Sequence, residues 1–225
     1  MSRQRLVVVR HGVTDWNREG RWQGRLDPPL SADGLGEAQL VATRIGADAD
    51  LRPARIVSST LSRASQTAEA IGREVGLPVE PDARLMEIGA GEWEGHTHDE
   101  LERIDGERYR AWRTAGTEVR PPGGEPLDEA IARIRELVDD LGSTAGPWPV
   151  VLVSHGGILR ILANVLFELP GAWMWSLDVD NASVSAASRD HPQDTWRLER
   201  WNDTRHLLGL EPTHVDESEG RPLAL

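Results

Sequence analysis

Two short runs constrain this chain more than any other feature of its sequence. Leu6 to Val9 (LVVV) and Val150 to Val153 (VVLV) are unbroken aliphatic, mostly β-branched stretches with no polar alternation. That pattern belongs to strands covered on both faces, as in a parallel sheet sandwiched by helices. Each run stops on residues that carry chemistry: Arg10, His11 and Gly12 after the first, and Ser154, His155, Gly156 and Gly157 after the second. Glycine directly after histidine lets the backbone come close to a ligand. A third, shorter run, Ala54 to Ser59 (ARIVSS), ends in two serines at the start of another helical segment.

Helical periodicity fills the space between these strands. Ser31 is placed to cap a helix carrying Leu35, Ala38, Leu40, Val41 and Ile45, with Gly34 and Gly36 weakening its first turns. A second helix is expected from about Thr60 to Val75, and a third from about Leu127 to Leu141 with Leu127, Ile131, Ile134, Leu137, Val138 and Leu141 on one face. From His96 to about Ala115 the chain is highly charged with helical spacing, and the following GTEVRPPGGEP cannot continue a helix. ILRILANVLFEL, after His155, reads as a mostly buried helix; SVSAASR and TWRLERW read as late, antiparallel edge strands. The expected fold is therefore a three-layer α/β/α sandwich with a mostly parallel sheet. It spans one domain over residues 1–210, with a small helical insertion at about 96–126 and a flexible tail at 211–225. In such sheets the ligand sits off the carboxyl ends of the strands, where Arg10, His11, Ser58, Ser59, Ser154 and His155 converge.

Composition bounds the ligand. With 25 Lys+Arg against 37 Asp+Glu, the formal net charge of −12 argues against general affinity for nucleic acid or an anionic membrane. Any anion must be held by a local cationic cluster. The absence of cysteine rules out disulfides, thiolate metal sites and a cysteine nucleophile. MSRQRLVVV has too short an apolar run for a signal peptide, and no stretch approaches the roughly 20 apolar residues of a membrane span, so a soluble cytoplasmic protein is expected.

Arg10 and Arg63 at one strand-end rim would repel each other unless an anion lies between them, and their planar forks suit phosphate oxygens. Surface arginines paired with acids account for them equally well on spacing alone, just as a backbone-bonded loop histidine accounts for His11 or His155 taken singly. His96 and His98 lack a further ligand at metal-site spacing and read as solvated loop histidines. The nine tryptophans are scattered, most of them core or cleft wall, with Trp16, Trp22 and Trp93 placed to face a sugar.

LVVVRHGVTDWN, SSTLSRASQTA, LMEIGAGEWEG and VLVSHGG, in this order and each at a strand end, resemble the histidine phosphatase superfamily, the phosphoglycerate mutase-like group, over about residues 5–167. The resemblance implies that His11 is the nucleophile that forms a phosphohistidine. It implies that Arg10, Arg63 and His155 surround the phosphate, with Asn17 donating a further hydrogen bond and Gly156 close to it. Glu87 is implied as proton donor to the leaving oxygen and base for water. Gln23 and Gly24 are implied as contacts to the substrate beyond its phosphate. The chemistry is compatible: neighbouring arginines keep His11 neutral, the Gly12 carbonyl can fix its tautomer, and a ring of cations can replace a metal, so no cofactor is expected.

LMEIGAGEWEG and PPGGEPLDEA look like the phosphatase branch. The expected activity is hydrolysis of a small phosphorylated metabolite, with a phosphoglycerate or glucosyl-3-phosphoglycerate as the first candidate. The alternatives are a cofactor-dependent phosphoglycerate mutase and a non-catalytic phosphoprotein-binding module. An apolar face on the late strands would make a homodimer.

Overall fold

The computed structural model describes residues 3–115, 119–143 and 146–208. The tail expected at 211–225 lies outside the described residues. Among the described residues six strands form one sheet: β1 (Gln4–Arg10), β2 (Arg55–Ser58), β3 (Val79–Pro81), β4 (Val150–Ser154), β5 (Val184–Arg189) and β6 (Arg197–Asp203), in the order β3-β2-β4-β1-β5-β6. β1 to β4 are mutually parallel; β5 is antiparallel to β1 and β6 to β5, as expected of the late strands, but β5 is paired on both sides and only β6 is an edge strand. β3 escaped the sequence reading because VEP has no apolar run; its proline is tolerated at the sheet edge.

Among the described residues seven α-helices accompany the sheet: α1 (Asp15–Arg18), α2 (Ala32–Ala47), α3 (Ser62–Val75), α4 (His98–Ile104), α5 (Gly106–Ala115), α6 (Leu127–Ser143) and α7 (Gly156–Phe167). The unbroken apolar runs of β1 and β4 serve two cores at once. Leu6, Val8, Val150 and Leu152 pack with Ile134, Leu137 and Val138 of α6 and Ile158, Ile161 and Leu162 of α7. Val7, Val9, Val151 and Val153 pack on the opposite face with Val41 and Ile45 of α2 and Ala64, Ala68 and Ile71 of α3. Successive residues of a strand point to opposite faces, so a strand buried on both needs no polar positions. This is the three-layer sandwich.

Register delivers the site. β1 and β4 are paired with Arg10 opposite Ser154, so the next residues, His11 and His155, leave the sheet side by side. β2 ends one step away, with Ser58 opposite Val153, and the Ser59 amide donates to the Val153 carbonyl at 3.0 Å.

Several expectations change in detail. Ser31 does cap α2, its hydroxyl accepting from the Gly34 amide at 3.1 Å. Leu35, one of the apolar residues this helix carries, is 53% exposed, while Glu37 is buried and accepts from the Val13 amide at 2.7 Å. The helix turns its Glu37 face inward because the loop after His11 needs a carboxylate for that amide. The helical insertion comprises two helices, separated at Asp105, whose carboxylate accepts from the Trp93 indole at 3.0 Å. The late strands offer no apolar face: β6 exposes Leu198 between Arg197 and Glu199, which are also exposed. Among the described residues no helix is long and apolar enough to cross a membrane.

Gly34 and Gly36, alike in sequence, differ in structure. A Cβ on Gly34 would stand 2.0 Å from the Val13 carbonyl oxygen, whereas one on Gly36 would meet nothing within 4 Å. Gly34→Ala is expected to cost about 1–3 kcal/mol by forcing the His11–Thr14 loop aside. Gly36→Ala is expected to stabilise by up to about 1 kcal/mol by helix propensity. Denaturant melts of the two variants test this; equal effects would mean that the close approach is relaxed.

Candidate active site

His11 follows β1 and is buried with its ring 5.1 Å, centroid to centroid, from that of His155. Its Nδ1 stands 2.7 Å from the Gly12 carbonyl oxygen. A carbonyl only accepts, so Nδ1 carries the proton and Nε2 keeps its lone pair. The backbone behind the ring is fixed from three sides: the His11 amide donates to the Ser154 carbonyl at 3.0 Å, and the His11 carbonyl accepts from Ala182 N–H and Asn181 Nδ2, each at 3.1 Å. Burial above all, then the charges of Arg63 and Arg10, push the His11 pKa well below 6.5, against which the Gly12 bond is the smaller effect.

Arg63, from the first turn of α3, is 1% exposed. Its Nη1 and Nη2 donate to the carbonyls of Leu26 and Gly24, both at 2.9 Å, and its Nε has no hydrogen-bond partner among the described residues. Gly24 accepts this role at φ +49, with Glu94 filling the space a side chain would need. Burial lowers the Arg63 pKa to about 10, which leaves it cationic at neutral pH. Arg10 is anchored by its Nη1 donating to the Val179 carbonyl at 2.6 Å.

Asn17 is oriented by a capping box: its Oδ1 accepts from the Thr14 amide at 3.1 Å and from the Thr14 hydroxyl at 3.0 Å. The amide NH2 is therefore the end available to an anion. Glu87 stands on a segment, residues 86–90, that belongs to no helix or strand. Its two carboxylate oxygens accept from the amides of Ile88 at 2.8 Å and Gly157 at 3.1 Å, which seats it on the N-terminus of α7. A Cβ on Gly157 would lie 2.6 Å from Glu87 Oε1, so the second glycine of SHGG makes room for that carboxylate.

Arg10, His11, Asn17, Gln23, Gly24, Arg63, Glu87 and Gly156 all line one cleft of about 720 Å3. His155 does not; it is wholly buried, one layer deeper. Its Nε2 is 2.8 Å from the Ser59 hydroxyl, and its Nδ1 has no hydrogen-bond partner among the described residues. Burial first, then Arg63, His11 and Arg10, hold its pKa well below 6.5 as well.

The far wall of the cleft departs from the sequence reading. Trp22 lines it, but Trp93 is buried beneath and Trp16 stands outside; Trp112 and Trp175 line it instead. Trp22, Trp93, Tyr109 and Trp112 form one cluster of mostly edge-to-face rings, with Trp22 and Trp112 4.7 Å apart. His98 is part of this cluster rather than a solvated loop residue: its Nδ1 meets the Tyr109 hydroxyl and accepts from the Trp22 indole at 3.3 Å. Arg160 of α7 also lines the cleft, with its Nε donating to the Leu177 carbonyl at 2.9 Å. Glu125, likewise unflagged by the sequence, accepts two hydrogen bonds from Arg133. Burial would raise its pKa, but Arg133, the Gly89 amide and Arg25 outweigh that and hold it lowered. No group of three or more His, Asp or Glu side chains suited to a metal ion occurs among the described residues.

The site offers a neutral imidazole with a free Nε2 lone pair, fixed cations around it, and a carboxyl group across the cleft. That set can accept a phosphoryl group from an ester, stabilise its oxygens, and exchange a proton with the oxygen that leaves.

The histidines also set the response to acid. His206, whose Nε2 is 3.0 Å from the Ala182 carbonyl oxygen, has its pKa lowered to about 4 by burial and by Arg44. For His11, His155 and His206 the folded state binds protons more weakly than the unfolded chain, whose imidazoles titrate near 6.5. The stability they contribute is fully present above that pH and is lost as pH falls through their folded-state values. Tm is therefore expected to drop steadily between pH 6.5 and 4, and scanning calorimetry across that range checks it; a rise in Tm on acidification would contradict the assignment.

A sheet of this topology carrying two adjacent strand-end histidines, with Arg10 and Arg63 acting on them, is the arrangement of a histidine phosphatase fold. The profile of the histidine phosphatase superfamily (branch 1) matches residues 6–204, and the chain belongs to that superfamily. A glucosyl-3-phosphoglycerate phosphatase of Mycobacterium tuberculosis is 38% identical over 217 residues, covering 90% of this chain and 96% of that one. A probable phosphoglycerate mutase, GpmB, of Yersinia pestis is 36% identical over 209 residues, covering 90% and 94%. Among solved structures, mycobacterial glucosyl-3-phosphoglycerate phosphatase in complex with VO3 matches with a TM-score of 0.79 at 38% identity, over 89% of this chain and 99% of that one.

Proposed function

We propose that this protein is a phosphomonoester hydrolase that works through a phosphohistidine at His11, on a phosphoglycerate carrying a sugar, of the glucosyl-3-phosphoglycerate type. The observation that carries the reading is the His11 imidazole itself, held neutral with Nδ1–H on the Gly12 carbonyl and flanked by Arg10 and Arg63. In the first step Nε2 attacks phosphorus, the P–O ester bond breaks, and Glu87 passes its proton to the leaving alkoxide. In the second, the Glu87 carboxylate takes a proton from water, the new P–O bond forms, and the P–N bond breaks to release phosphate and neutral His11. Arg10, Arg63 and the Asn17 amide hold the phosphoryl oxygens throughout, and the ring of His155, whose Nδ1 has no hydrogen-bond partner among the described residues, stands beside that of the nucleophile. Phosphoryl transfer asks for little beyond this positioning and charge.

The leaving group is argued from the size and lining of the cleft. About 720 Å3 far exceeds a phosphate and a three-carbon acid, and the wall of Trp22, Trp112 and Trp175 suits the apolar face of a sugar ring. The names of the mycobacterial relatives support the same substrate. A phosphorylated metabolite of this kind also supports a cytoplasmic setting.

Phosphorus NMR in the presence of chelator, with glucosyl-3-phosphoglycerate, 3-phosphoglycerate with a bisphosphoglycerate primer, and an aryl phosphate, tests the reading. Phosphate release fastest from the glucosylated ester supports it; conversion of 3- to 2-phosphoglycerate would make the protein a mutase, and no turnover would favour a binding module. Glu87→Ala is expected to cost about 10²–10⁴-fold on the alkyl esters and far less on the aryl ester, whose phenolate needs no proton. Equal losses on both would remove Glu87 from the proton transfer.

A further inference from the structure

A carboxyl group that must deliver a proton has to be held within about half an ångström of its working position. Glu87 sits on backbone that no helix or strand supports, so something else must hold residues 86–90. The Ala90 amide donates to Glu94 Oε1 at 2.9 Å, and the residue before it, Gly89, is held by Glu125. Its amide donates to the Gly89 carbonyl at 2.8 Å, and its Oε2 accepts from the Gly89 amide at 3.2 Å, so both backbone groups of a residue two past Glu87 are pinned to it. The adjoining loop is laced to the same segment: the Glu92 amide donates to the Pro122 carbonyl at 2.9 Å, and Gly91, at φ +54, leaves room where a Cβ would lie 2.1 Å from that carbonyl oxygen.

Glu125 is itself clamped. Its side chain is 8% exposed and receives Arg133 Nε on Oε1 at 2.8 Å, Arg133 Nη2 on Oε2 at 3.0 Å and Arg25 Nη2 on Oε1 at 3.2 Å. Arg133 stands on α6 and also donates to the Arg84 carbonyl, three residues before Glu87. Arg84 and Gly89 flank Glu87 in the chain, and one ion pair anchored on a core helix holds both.

We propose that Glu125, gripped by Arg133, is the positioning residue for Glu87, fixing the proton donor against α6 while the Gly157 amide fixes it against α7. The proposal rests on the reading of Glu87 as the proton donor. It requires that loosening Glu125 harm the step in which a proton is delivered and spare the step that binds phosphate.

The test is the ratio of kcat on an alkyl phosphate, 3-phosphoglycerate, to kcat on an aryl phosphate, p-nitrophenyl phosphate. Glu125→Gln keeps the shape and removes the charge that holds Arg133. It is expected to lower kcat on the alkyl ester by about 10–100-fold, the cost of a misplacement near an ångström, and on the aryl ester by less than about 3-fold, with KM little changed. Arg133→Lys keeps the charge but loses the two-pronged grip; it should move the ratio the same way by less, and it carries the test if Glu125→Gln fails to fold. Equal losses on both esters, or none, would overturn the proposal and leave Glu125 a scaffold residue. Glu87→Gln is the control. If it shows no dependence on the leaving group, the proton-donor reading falls and the positioning role with it, whereas a leaving-group effect at Glu87 with none at Glu125 or Arg133 overturns the positioning alone.

Discussion

Replacement of His11 by alanine is expected to lower phosphate release by about 10⁴-fold or more, because it removes the atom that the proposed mechanism uses to accept the phosphoryl group. The fold should survive. The backbone bonds that fix residue 11, its amide to Ser154 and its carbonyl to Asn181 and Ala182, do not involve the imidazole. The Gly12 amide, which donates to the Thr67 hydroxyl at 3.1 Å, is also untouched. Far-UV circular dichroism of the variant should match the parent. Its acid response should differ in a definite direction: the variant lacks one of the imidazoles that the fold holds neutral, so it should lose less stability between pH 6.5 and 4 than the parent does. Loss of activity together with loss of fold would make His11 a structural residue, and full activity would end the mechanism.

Arg63 carries the second largest expectation. Arg63→Met is expected to cost about 10³-fold in kcat/KM, the range seen when a fixed donor to a transferring phosphoryl group is removed. Two separate consequences should accompany it. The carbonyls of Leu26 and Gly24 lose their guanidinium donors, which lowers stability by about 1–3 kcal/mol for each that stays buried and unpaired. Arg63 is also the largest charge effect lowering the pKa of His11, second only to burial. Without it the His11 pKa rises, so the acid limb of kcat/KM should shift to higher pH. Arg63→Lys restores charge but not the fork that spans both carbonyls, and should recover only part of the rate. A variant with normal rate and an unshifted acid limb would remove Arg63 from the phosphate site.

The strand ends were legible in the sequence because burial on both faces leaves a strand no polar positions, so Arg10 and Ser154 mark the points where β1 and β4 leave the core. Even the antiparallel edge could be read from its late, short runs. What stayed hidden depends on contacts between distant segments. Glu125 looks like any acid in a proline-glycine loop until Arg133 and Gly89 close on it. Arg160 interrupts the apolar run of ILRILANVLFEL, a visible irregularity that marks a residue lining the cleft. Trp112 and Trp175 carry no periodic signal, and only the folded structure separates them, as cleft-lining residues, from the buried Trp93. The burial of Glu37 goes with the Val13 amide it accepts from, a contact made by a loop outside α2.

The central claim is a covalent one, and rapid acid-free quenching during turnover tests it most directly. Phosphorus-labelled substrate, mixed with enzyme and denatured at alkaline pH to preserve phosphoramidates, should leave a single phosphoryl group on Nε2 of His11, formed and discharged at rates consistent with kcat. Phosphate release with no label on the protein, or label on any residue other than His11, would contradict the account.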